Sequence, residues 1–492
     1  MKPINIYTLS RITNETQLTG LDRQMSKRSY PLKIKSWEVE SVRMLADRLY
    51  GILGNISLLN FYYSFQIPKL GKEFDLLCVS DNKVINIELK SRDVSDEKIK
   101  KQLEQNRQYL SLLGKNIRSY TYISDQDRLV RYTNSGRLVE SDMEQLAMDM
   151  QNQDDFYEDH LEKLFVEEKY LVSPLTDPDK FLRREYFLTS QQRDIKKKIL
   201  GNIGINPKCI QGFTGLPGTG KTLLLYDIAM EMSDKDKVCV LHYGSYPEEM
   251  VMLNSRLKRI DFYQCNGNDT EYIQCINQYK AVFIDEGHRI SKDVLQQVVE
   301  ITSEAMIPVI ISYDNESGIA TSERRFSNVD SIEALPEYVK YTLTNRIRMN
   351  AELSSFIGII MKLELKHRRK EYPSVSVSYA NNANEATAFV KDYKHRGYIY
   401  IRKANEDIDS ENHEDEIDST IATCKEFDKV VMVIDDSYSY DNEGNLISSS
   451  CESNESSVRM LFHGLSRAKS QIALVVVNNA SVFDNIMKCL QG

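Results

Sequence analysis

The segment CIQGFTGLPGTGKTLLLYD, residues 209–227, is the stretch on which the fold of this chain depends. Residues 215–222 match the pattern G-x-x-x-x-G-K-[ST] of a phosphate-binding loop. The apolar run 209–213 predicts a strand before the loop, and apolar residues at helical spacing follow over 223–230. This order suits the motif, because the backbone N–H groups of the turn and the new helix N-terminus must face a phosphate.

Each residue type in the loop has a chemical reason to be there. Glycines let the backbone turn its N–H groups inward, and Lys221 is expected to reach the β- and γ-phosphates of a nucleotide. The Thr222 hydroxyl is expected to bind Mg²⁺. The alternative is a chance glycine-rich turn between a strand and a helix. The predicted nucleotide-binding residues of the loop are Gly215, Gly218, Thr219, Gly220, Lys221 and Thr222.

Length and composition indicate an ordinary globular protein of several domains. The 492 residues are enough for two to four domains, and 41% hydrophobic and 27% charged residues are typical values. The eight cysteines include no C-x-x-C pair, which favours reduced thiols over disulfides or a zinc site. Without a signal peptide or a long apolar run, the predicted location is the cytoplasm, with no membrane partner.

The net charge of −9 gives no overall attraction to nucleic acid. Any such partner must therefore be held by local basic clefts. Composition neither establishes nor excludes this kind of binding.

Periodicity divides the chain into an N-terminal α/β block, a helical linker and two α/β segments. Residues 1–30 have no clear period and predict an arm or a short strand. An amphipathic helix from Ser36, strands near 58–67, 74–79 and 84–89, a helix at 98–113 and a strand at 119–123 follow. The predicted domains are residues 1–140, a helical linker 141–185, a first lobe 186–330 and a second lobe 331–492.

Beyond the linker, short apolar strands alternate with helices, which predicts parallel sheets covered on both faces. The polar tracts 406–418 and 435–457 are interpreted as solvated loops. The predicted strands are 238–242, 281–284, 308–312, 398–401, 430–434 and 472–477.

A carboxylate pair follows one of these strands. Residues 281–284 are apolar and end in Asp285 and Glu286, about seventy residues after the loop begins at Gly215. Asp285 is expected to bind Mg²⁺ and Glu286 to orient the attacking water. Taken alone, such a pair is equally compatible with an ordinary loop, and its distance from the phosphate loop favours the catalytic interpretation.

These motifs resemble superfamily 1 helicases, in particular ATPases similar to the helicase half of Schlafen proteins. The resemblance covers about residues 186–485, and LTSQQ at 188–192 looks like the family's adenine-reading element. ISYD at 311–314 is similar to the third motif, with Ser317 where a glutamine is usual. LTNRIR at 343–348, EFD at 426–428 and LSRAK at 465–469 resemble the fourth to sixth motifs, although Thr423 and Cys424 replace the usual Gln-Gly.

The resemblance implies two RecA-like lobes and an ATP site between them. By matching, Gln192 contacts the adenine, Arg348 contacts the nucleotide, with Arg346 as the near alternative, and Arg467 is the arginine finger. Two arginines of a second lobe that approach the γ-phosphate would make hydrolysis depend on lobe closure. The alternative for both arginines is a surface or structural role.

The spacing of the motifs indicates a compact motor. About sixty residues separate the phosphate loop from Asp285, and about a hundred and twenty separate Arg348 from Arg467. This leaves little room for large inserted subdomains. We therefore expect a single-strand translocase or a nucleic-acid-stimulated ATPase with weak unwinding.

A second constellation lies in the N-terminal block. FDLL at 74–77 and IELK at 87–90 put Asp75 on one strand and Glu88 and Lys90 on one face of the next. Two carboxylates and a lysine on adjacent strands suit Mg²⁺ or Mn²⁺ and an activated water beside a phosphodiester. This pattern resembles the PD-(D/E)XK nucleases. Glu38 and Glu40 lie on the preceding helix, where many members carry another metal ligand, and Glu38 shares the phase of the apolar face.

The following helix carries Gln105-x-x-x-Tyr109, which resembles the subgroup of nuclease-related and RecB-like enzymes that act beside helicases. The resemblance covers about residues 30–130. The basic side chains Lys98, Lys100, Lys101 and Arg107 would contact phosphates, or would form a solvated helix face. An edge strand with surface charges and an inactive nuclease fold are the alternatives.

The sequence thus predicts an ATP-dependent nucleic-acid motor fused to a Mg²⁺-dependent nuclease, an architecture similar to proteins of bacterial DNA processing and phage defence. DNA is favoured as the partner, and RNA stays open. One alternative is a regulatory ATPase without unwinding, whose nucleotide state gates the nuclease. Another is a non-catalytic nucleic-acid-binding sensor.

Overall fold

A computed structural model of the chain describes residues 1–12, 14–28, 32, 36–151, 160–166, 170–244, 248–265, 271–314, 328–344, 351–362, 371–402, 416–418, 426–449, 451–452 and 455–491. The chain divides into two compact units, Met1–Tyr170 and Leu171–Gly492. Within the described ranges, no helix combines the length and the apolar character needed to cross a lipid bilayer.

The first unit is built on one seven-stranded sheet whose strands follow one another in chain order. Neighbouring strands are antiparallel, except that Lys83–Lys90 and Asn116–Ile123 run parallel and are joined by the helix Asp96–Ser111. The strands are Ile4–Asn5, Asn60–Gln66, Glu73–Val79, Lys83–Lys90, Asn116–Ile123, Arg128–Tyr132 and Leu138–Ser141.

Helices cover this sheet and complete its core. The apolar face of Ser36–Leu53, including Leu45 and Leu49, packs with strand residues such as Phe61 and Ile87, all of them fully buried. The spacing of these leucines is the helical period that places them on one face. The helices of the unit are Ile6–Ser10, Glu15–Ser26, Ser36–Leu53, Asp96–Ser111 and Met143–Gln151.

The second unit contains two parallel sheets. The first has six strands, in the spatial order Ile260–Gln264, Val238–His242, Val282–Asp285, Val309–Asp314, Ile210–Gly215 and Val339–Leu343. The second has the order Val375–Ala380, Ala468–Val477, Phe427–Ile434, Ile399–Arg402 and Glu416–Asp418. We refer to these sheets with their helices as the first and second lobes.

Both sheets are buried on their two faces, which explains the continuous apolar strands. In Val238–His242, Val238 and Val240 enter one core cluster while Cys239 and Leu241 enter another. The predicted α/β fold class, with two parallel-sheet lobes after a smaller α/β block, is confirmed. The helices are Pro178–Leu182, Ser190–Ile205, Lys221–Ser233, Glu248–Arg256, Lys292–Glu304, Val329–Glu333, Ala351–Met361, Ala383–His395, Ser457–Leu465 and Ala480–Gln491.

Three segments differ from the sequence expectations. Residues 1–30 form the helices Ile6–Ser10 and Glu15–Ser26 in addition to a short strand. Each helix has an asparagine N-cap whose side chain accepts a backbone N–H. Such a cap stabilises the start of a helix even where the sequence shows no clear apolar period. The helix Met143–Gln151, expected in a linker, packs its Leu146 and Met150 into the core of the first unit.

The tract 435–457 is not simply a solvated loop. It contains the hairpin Tyr438–Tyr440 with Leu446–Ser448, and Tyr438 and Leu446 are buried in the core of the second lobe. The sequence does not predict this packing, because the few apolar residues of the tract contact residues that are distant in sequence. In the other tract, Glu416–Asp418 forms an edge strand, while 406–415 lie outside the described residues.

Candidate functional site

The phosphate loop connects the interior strand Ile210–Gly215, which lies next to the edge strand Val339–Leu343, to the helix Lys221–Ser233. Gly218 and Gly220 have φ angles of 79° and 80°, in the left-handed region that favours glycine. A Cβ atom on Gly215 would lie 2.7 Å from Thr219 Oγ1 and 2.9 Å from Leu343 O. The glycine pattern is therefore required by backbone conformation and by close packing.

Lys221 is held by three oxygens at this loop. Its Nζ donates to Gly215 O at 3.0 Å and to Leu216 O at 3.2 Å, and lies 2.5 Å from Asp314 Oδ1. The side chain is buried. Burial by itself would raise the pKa of Asp314, but the charge of Lys221, followed by those of His463 and His288, holds it well below the usual value.

Asp285 lies at the carboxyl end of Val282–Asp285, which is separated from Ile210–Gly215 by the strand Val309–Asp314, and the fold brings it to Thr222. The Thr222 hydroxyl is 3.5 Å from Asp285 Oδ1, and Ser312 Oγ donates to the same oxygen at 2.6 Å. His242 Nδ1 lies 3.2 Å from Asp285 Oδ2. Burial opposes ionisation, but His242, Ser312 and the Lys221 charge outweigh it and lower the pKa of Asp285.

Glu286 has a different environment from its neighbour. Its φ of 55° is unusual for a residue with a Cβ, which marks local backbone strain of the kind found at functional sites. Burial, then the charges of Asp314 and Asp285, raises the pKa of Glu286 to about 7. This carboxyl is therefore poised to exchange a proton near neutral pH.

Gln192 lies behind the loop rather than beside an open base site. Its side chain is completely buried; its oxygen accepts the Thr189 N–H at 2.9 Å, and its Nε2 donates to Thr219 O at 3.1 Å. With Thr189 it forms a capping box at the start of Ser190–Ile205. In this structure Gln192 fixes the loop, and its contact with an adenine remains a prediction.

The second lobe contributes Arg467 to the same cleft. A cleft is lined by Gly218, Lys221, Glu286 and Arg467 among others. Arg467 Nε donates to His463 O at 3.3 Å, so the arginine is tied to the end of the helix Ser457–Leu465. Arg348, its alternative Arg346, and Ser317, Thr423 and Cys424 lie outside the described residues.

The sequence-based site lacks Asp314, His288 and His463, and also lacks His242 and Ser312, which contact Asp285. Asp314 ends the strand Val309–Asp314 as Asp285 ends its own, a signal that the sequence did contain. His288 and His463 are buried beside it, with their rings stacked at a centroid distance of 6.3 Å. Nothing in their local sequence distinguishes them, because they come from different lobes.

In the first unit, the register places Asp75 directly opposite Glu88. Leu76 pairs with Ile87 across the antiparallel strands. Asp75, the residue before Leu76, therefore lies opposite Glu88, the residue after Ile87. Asp75 Oδ2 accepts the Leu89 N–H at 2.8 Å. Burial is the main reason why the pKa of Asp75 is raised.

Glu88 is enclosed by the helix Asp96–Ser111. Both of its oxygens accept hydrogen bonds, one from Gln102 and the other from Asn106 Nδ2 at 2.6 Å. Burial, then the charge of Asp75, raises the pKa of Glu88 to about 8, although Lys72 and Lys90 oppose the shift.

The predicted motif on this helix is out of phase with the carboxylates. Gln105 is exposed and Tyr109 is buried, whereas Gln102 and Asn106, four residues apart, share the face that contacts Glu88. The resemblance of Gln105-x-x-x-Tyr109 to the helix of nuclease-related and RecB-like enzymes stays a prediction. Lys98, Lys100 and Lys101 are exposed on the same helix, and Arg107 donates to Asn134.

Glu38 and Glu40 have different positions on their helix. Glu38 is buried and accepts a hydrogen bond from Tyr63 OH at 3.0 Å, while Glu40 is exposed and pairs with Arg43. Burial, then the charge of Glu38, raises the pKa of Tyr63, and Asp75 adds to the effect. Glu38 and Asp75 therefore act electrostatically on the same tyrosine, whereas Glu40 faces solvent.

The opposing strand is strained next to Asp75. Ser64 lies between Tyr63 and Phe65, which pair with Leu76 and Phe74, and its φ is 50°. Its hydroxyl donates to Glu73. A left-handed residue inside a strand, opposite the partly buried Asp75, is backbone strain of the kind that clusters at functional sites.

Residues 209–401 match a protein-family model described as Schlafen group 3, DNA/RNA helicase domain. The match covers less than half of the chain and includes the phosphate loop, Asp285 and Glu286. It agrees with the resemblance drawn from the motifs and supports a relationship of this segment to helicases. Comparison with curated proteins gave no match.

Among solved structures, the similarities are low. The Pif1 helicase from Candida albicans is 12% identical, with a TM-score of 0.34, 60% of this chain and 96% of that chain covered. Pif1 from Bacteroides sp in complex with ADP-AlF4 is 10% identical, with a TM-score of 0.32 and coverages of 61% and 96%. Arterivirus nonstructural protein 10 (helicase) with DNA is 13% identical, with a TM-score of 0.30, and the match covers 59% of this chain and 67% of that chain. With TM-scores below 0.5, these similarities carry no functional argument.

Proposed function

We propose that the second unit, Leu171–Gly492, is an ATP-dependent nucleic-acid motor. The observation that carries the proposal is the cleft in which Lys221, Asp285 and Glu286 of the first lobe meet Arg467 of the second. A phosphate loop alone would suit a kinase or a GTPase. An arginine from a second parallel-sheet lobe favours a cycle in which hydrolysis depends on how the lobes close.

The residues of the cleft fit Mg²⁺ and a triphosphate. Thr222 and Asp285 place two oxygen donors together, and Mg²⁺ prefers such hard ligands. The ion supplies charge neutralisation at the phosphates. Lys221 would bind the β- and γ-phosphates, Glu286 would accept a proton from the attacking water, and Arg467 would stabilise the charge that develops on the γ-phosphate. Arg348 is proposed as a second arginine on sequence spacing alone, and Gln192 as the adenine contact.

The test of the motor compares three activities of the purified chain. ATP hydrolysis should rise when single-stranded DNA or RNA is added, and Lys221→Ala should abolish it. Directional translocation on single strands should exceed strand displacement on duplexes, because little chain is available for an unwinding subdomain. Vigorous processive unwinding would contradict the compact-motor assignment.

We also propose that the first unit, Met1–Tyr170, is a Mg²⁺-dependent nuclease. Asp75 and Glu88 lie opposite each other on adjacent strands, with Lys90 on the same face as Glu88. The two carboxylates, and Glu38 as a further candidate, would hold the cation, and Mn²⁺ suits the same oxygen donors. The raised pKa of Glu88 fits this role, since a bound cation would favour the ionised form. Lys90 would position the water and stabilise developing charge.

A cleavage panel tests this assignment. Single- and double-stranded DNA and RNA would be incubated with and without Mg²⁺ and ATP, using the native chain and Asp75→Ala. We expect Mg²⁺-dependent cleavage that Asp75→Ala abolishes. Cleavage retained by Asp75→Ala would exclude this site. DNA is the favoured substrate, and bacterial DNA processing or phage defence the proposed setting.

One observation favours a second candidate for the first unit. Both oxygens of Glu88 are already bonded to Gln102 and Asn106, as in a carboxyl that only maintains structure. A non-catalytic unit that holds nucleic acid would retain strand binding in the same panel without any cleavage. Cleavage that occurs only with hydrolysable ATP would instead indicate an ATP-gated nuclease.

A further inference from the structure

Asp314 is a buried carboxylate that both lobes share. Its Oδ1 lies 2.5 Å from Lys221 Nζ, and its Oδ2 lies 3.4 Å from His463 Nδ1 of the second lobe. Its backbone N–H points to His288 Nδ1 at 3.4 Å. The side chain is only 7% exposed. One carboxylate thus faces the phosphate-loop lysine on one side and an imidazole of the other lobe on the other.

Lys221 cannot keep its present partners and also bind a nucleotide phosphate. An ammonium group has three N–H donors, and Gly215 O, Leu216 O and Asp314 engage Lys221 Nζ. On the proposed ATP-binding function, on which this inference rests, Lys221 turns to the β- and γ-phosphates. Asp314 then loses the cation nearest to it.

A buried carboxylate without a partner is unfavourable, so Asp314 needs a replacement. His463 of the second lobe faces Asp314, and its separation of 3.4 Å is just beyond the usual hydrogen-bond range of about 2.7–3.2 Å. Stacking on His288, with ring planes 15° apart, guides the ring. Because Arg467 donates to the backbone carbonyl of His463, a shift of the helix end that carries His463 also shifts Arg467.

We propose that Asp314 exchanges its contact with Lys221 for a contact with His463 when a nucleotide binds. This exchange couples nucleotide occupancy to the second lobe. Phosphate binding transfers Asp314 from Lys221 to His463, and the new contact draws Arg467 toward the γ-phosphate. Asp314 and His463 are positioning residues in this device, since neither needs to touch the reacting atoms. Their contact couples an event at the loop to closure of the lobes.

The same side chains are a weaker candidate for a metal site. Ligand atoms of His288, Asp314 and His463 lie within 4.8 Å of one another. Lys221 already occupies one oxygen of Asp314, and the positive charges of Arg467, Arg289 and Arg459 act on His463. These cations would repel a metal ion, whereas they do not hinder a hydrogen bond between His463 and Asp314.

The test uses Asp314→Asn in the full chain, with fluorescent mant-ADP as the binding probe and ATP as the substrate. Releasing Lys221 in advance should lower the mant-ADP Kd about three- to tenfold, because the competent loop no longer has to break an ion pair. The loss of the His463 contact should reduce kcat about tenfold or more. If Asp314 had a purely structural role, Asp314→Asn would instead raise the mant-ADP Kd and lower kcat.

His463 variants isolate the second half of the exchange. His463→Ala should reduce kcat by a similar factor and raise the mant-ADP Kd about two- to fivefold, because Asp314 then has no replacement partner when Lys221 turns to the phosphates. His463→Asn keeps a donor near the position of Nδ1 and should recover part of kcat. In the double variant with Asp314→Asn, kcat should fall no further than in the worse single variant, because the residues act as a pair.

Simple charge repulsion between Asp314 and the phosphates is excluded by a Lys221→Ala background. There, Asp314→Asn should change the mant-ADP Kd by less than about twofold, whereas repulsion would still give tighter binding. Weaker binding by Asp314→Asn, or additive kcat losses, would overturn the exchange. A native chain without Lys221-dependent ATP hydrolysis would overturn the proposed function instead, and the mant-ADP measurements would still decide the exchange at Lys221.

Discussion

Two adjacent carboxyl groups at the end of one strand have pKa shifts in opposite directions. Hydrogen bonds from His242 and Ser312 keep Asp285 ionised despite its burial, whereas burial and neighbouring negative charges raise the pKa of Glu286 to about 7. Such divergence separates a group that binds a cation from one that exchanges a proton. The local fold therefore supports different roles for residues 285 and 286.

A pH dependence follows for Glu286. A general base acts only when ionised, and a raised pKa means that the ionised fraction grows as the pH passes upward through about 7. We expect kcat for ATP to rise over this range, with a midpoint at or below 7 in Mg²⁺, since the ion favours ionisation. Stopped assays between pH 5.5 and 8.5 measure the profile.

The matched control is Glu286→Gln, which removes the titrating group at nearly constant volume. It should lower kcat about a hundredfold or more and leave the residual rate flat with pH. A full rate in Glu286→Gln, or an unchanged profile, would assign the proton transfer to another residue.

The helix Asp96–Ser111 is the element that decides the chemistry of Glu88. Gln102→Ala or Asn106→Ala removes one hydrogen bond to the carboxylate, which favours its protonated form and weakens its hold on a cation. We expect cleavage to fall about tenfold at limiting Mg²⁺, with partial recovery at high Mg²⁺. The measurement is a Mg²⁺ titration of the initial cleavage rate.

Gln105→Ala on the same helix is the control for that series, because this side chain is exposed. It should leave the Mg²⁺ titration unchanged. If Gln105→Ala were the damaging change and Gln102→Ala harmless, the helix phase seen in the structure would not be the phase used in catalysis.

The glycine-rich turn allows a second comparison between elements. Gly215→Ala would put a Cβ 2.9 Å from the backbone oxygen of Leu343, which cannot move without disturbing the sheet. We expect mant-ADP binding to weaken at least tenfold. Gly204→Ala, in the exposed face of Ser190–Ile205 with no atom within 4 Å, should preserve binding and add up to about 1 kcal/mol of stability.

At the scale of the whole molecule, the two proposed activities lie in separate units of the chain. Asp75→Ala should abolish cleavage and leave ATP hydrolysis within about twofold, because its contacts lie within the first unit. Lys221→Ala should abolish hydrolysis. Cleavage in Lys221→Ala then distinguishes the mechanisms: it persists if the nuclease is autonomous and disappears if nucleotide state gates it.

The sequence by itself determined the features that depend on local order. The glycine spacing of residues 215–222 specifies its turn because positive φ angles and close backbone approach are properties of single residues. The apolar runs specified parallel sheets in both lobes, and alternation set Glu88 and Lys90 on one face. The apolar runs placed Asp75 and Glu88 on strands and Asp285 at a strand end, whereas their proposed roles came from the resemblance to known motifs.

Only the tertiary structure decided which distant side chains meet. Gln102 and Asn106 reach Glu88 because the helix Asp96–Ser111 packs in one rotational phase, and that phase depends on buried residues across the sheet. Asp314 meets Lys221 and His463 only because two lobes close around one cleft. Such contacts arise from packing between segments far apart in the chain, so neither motif spacing nor periodicity could reveal them.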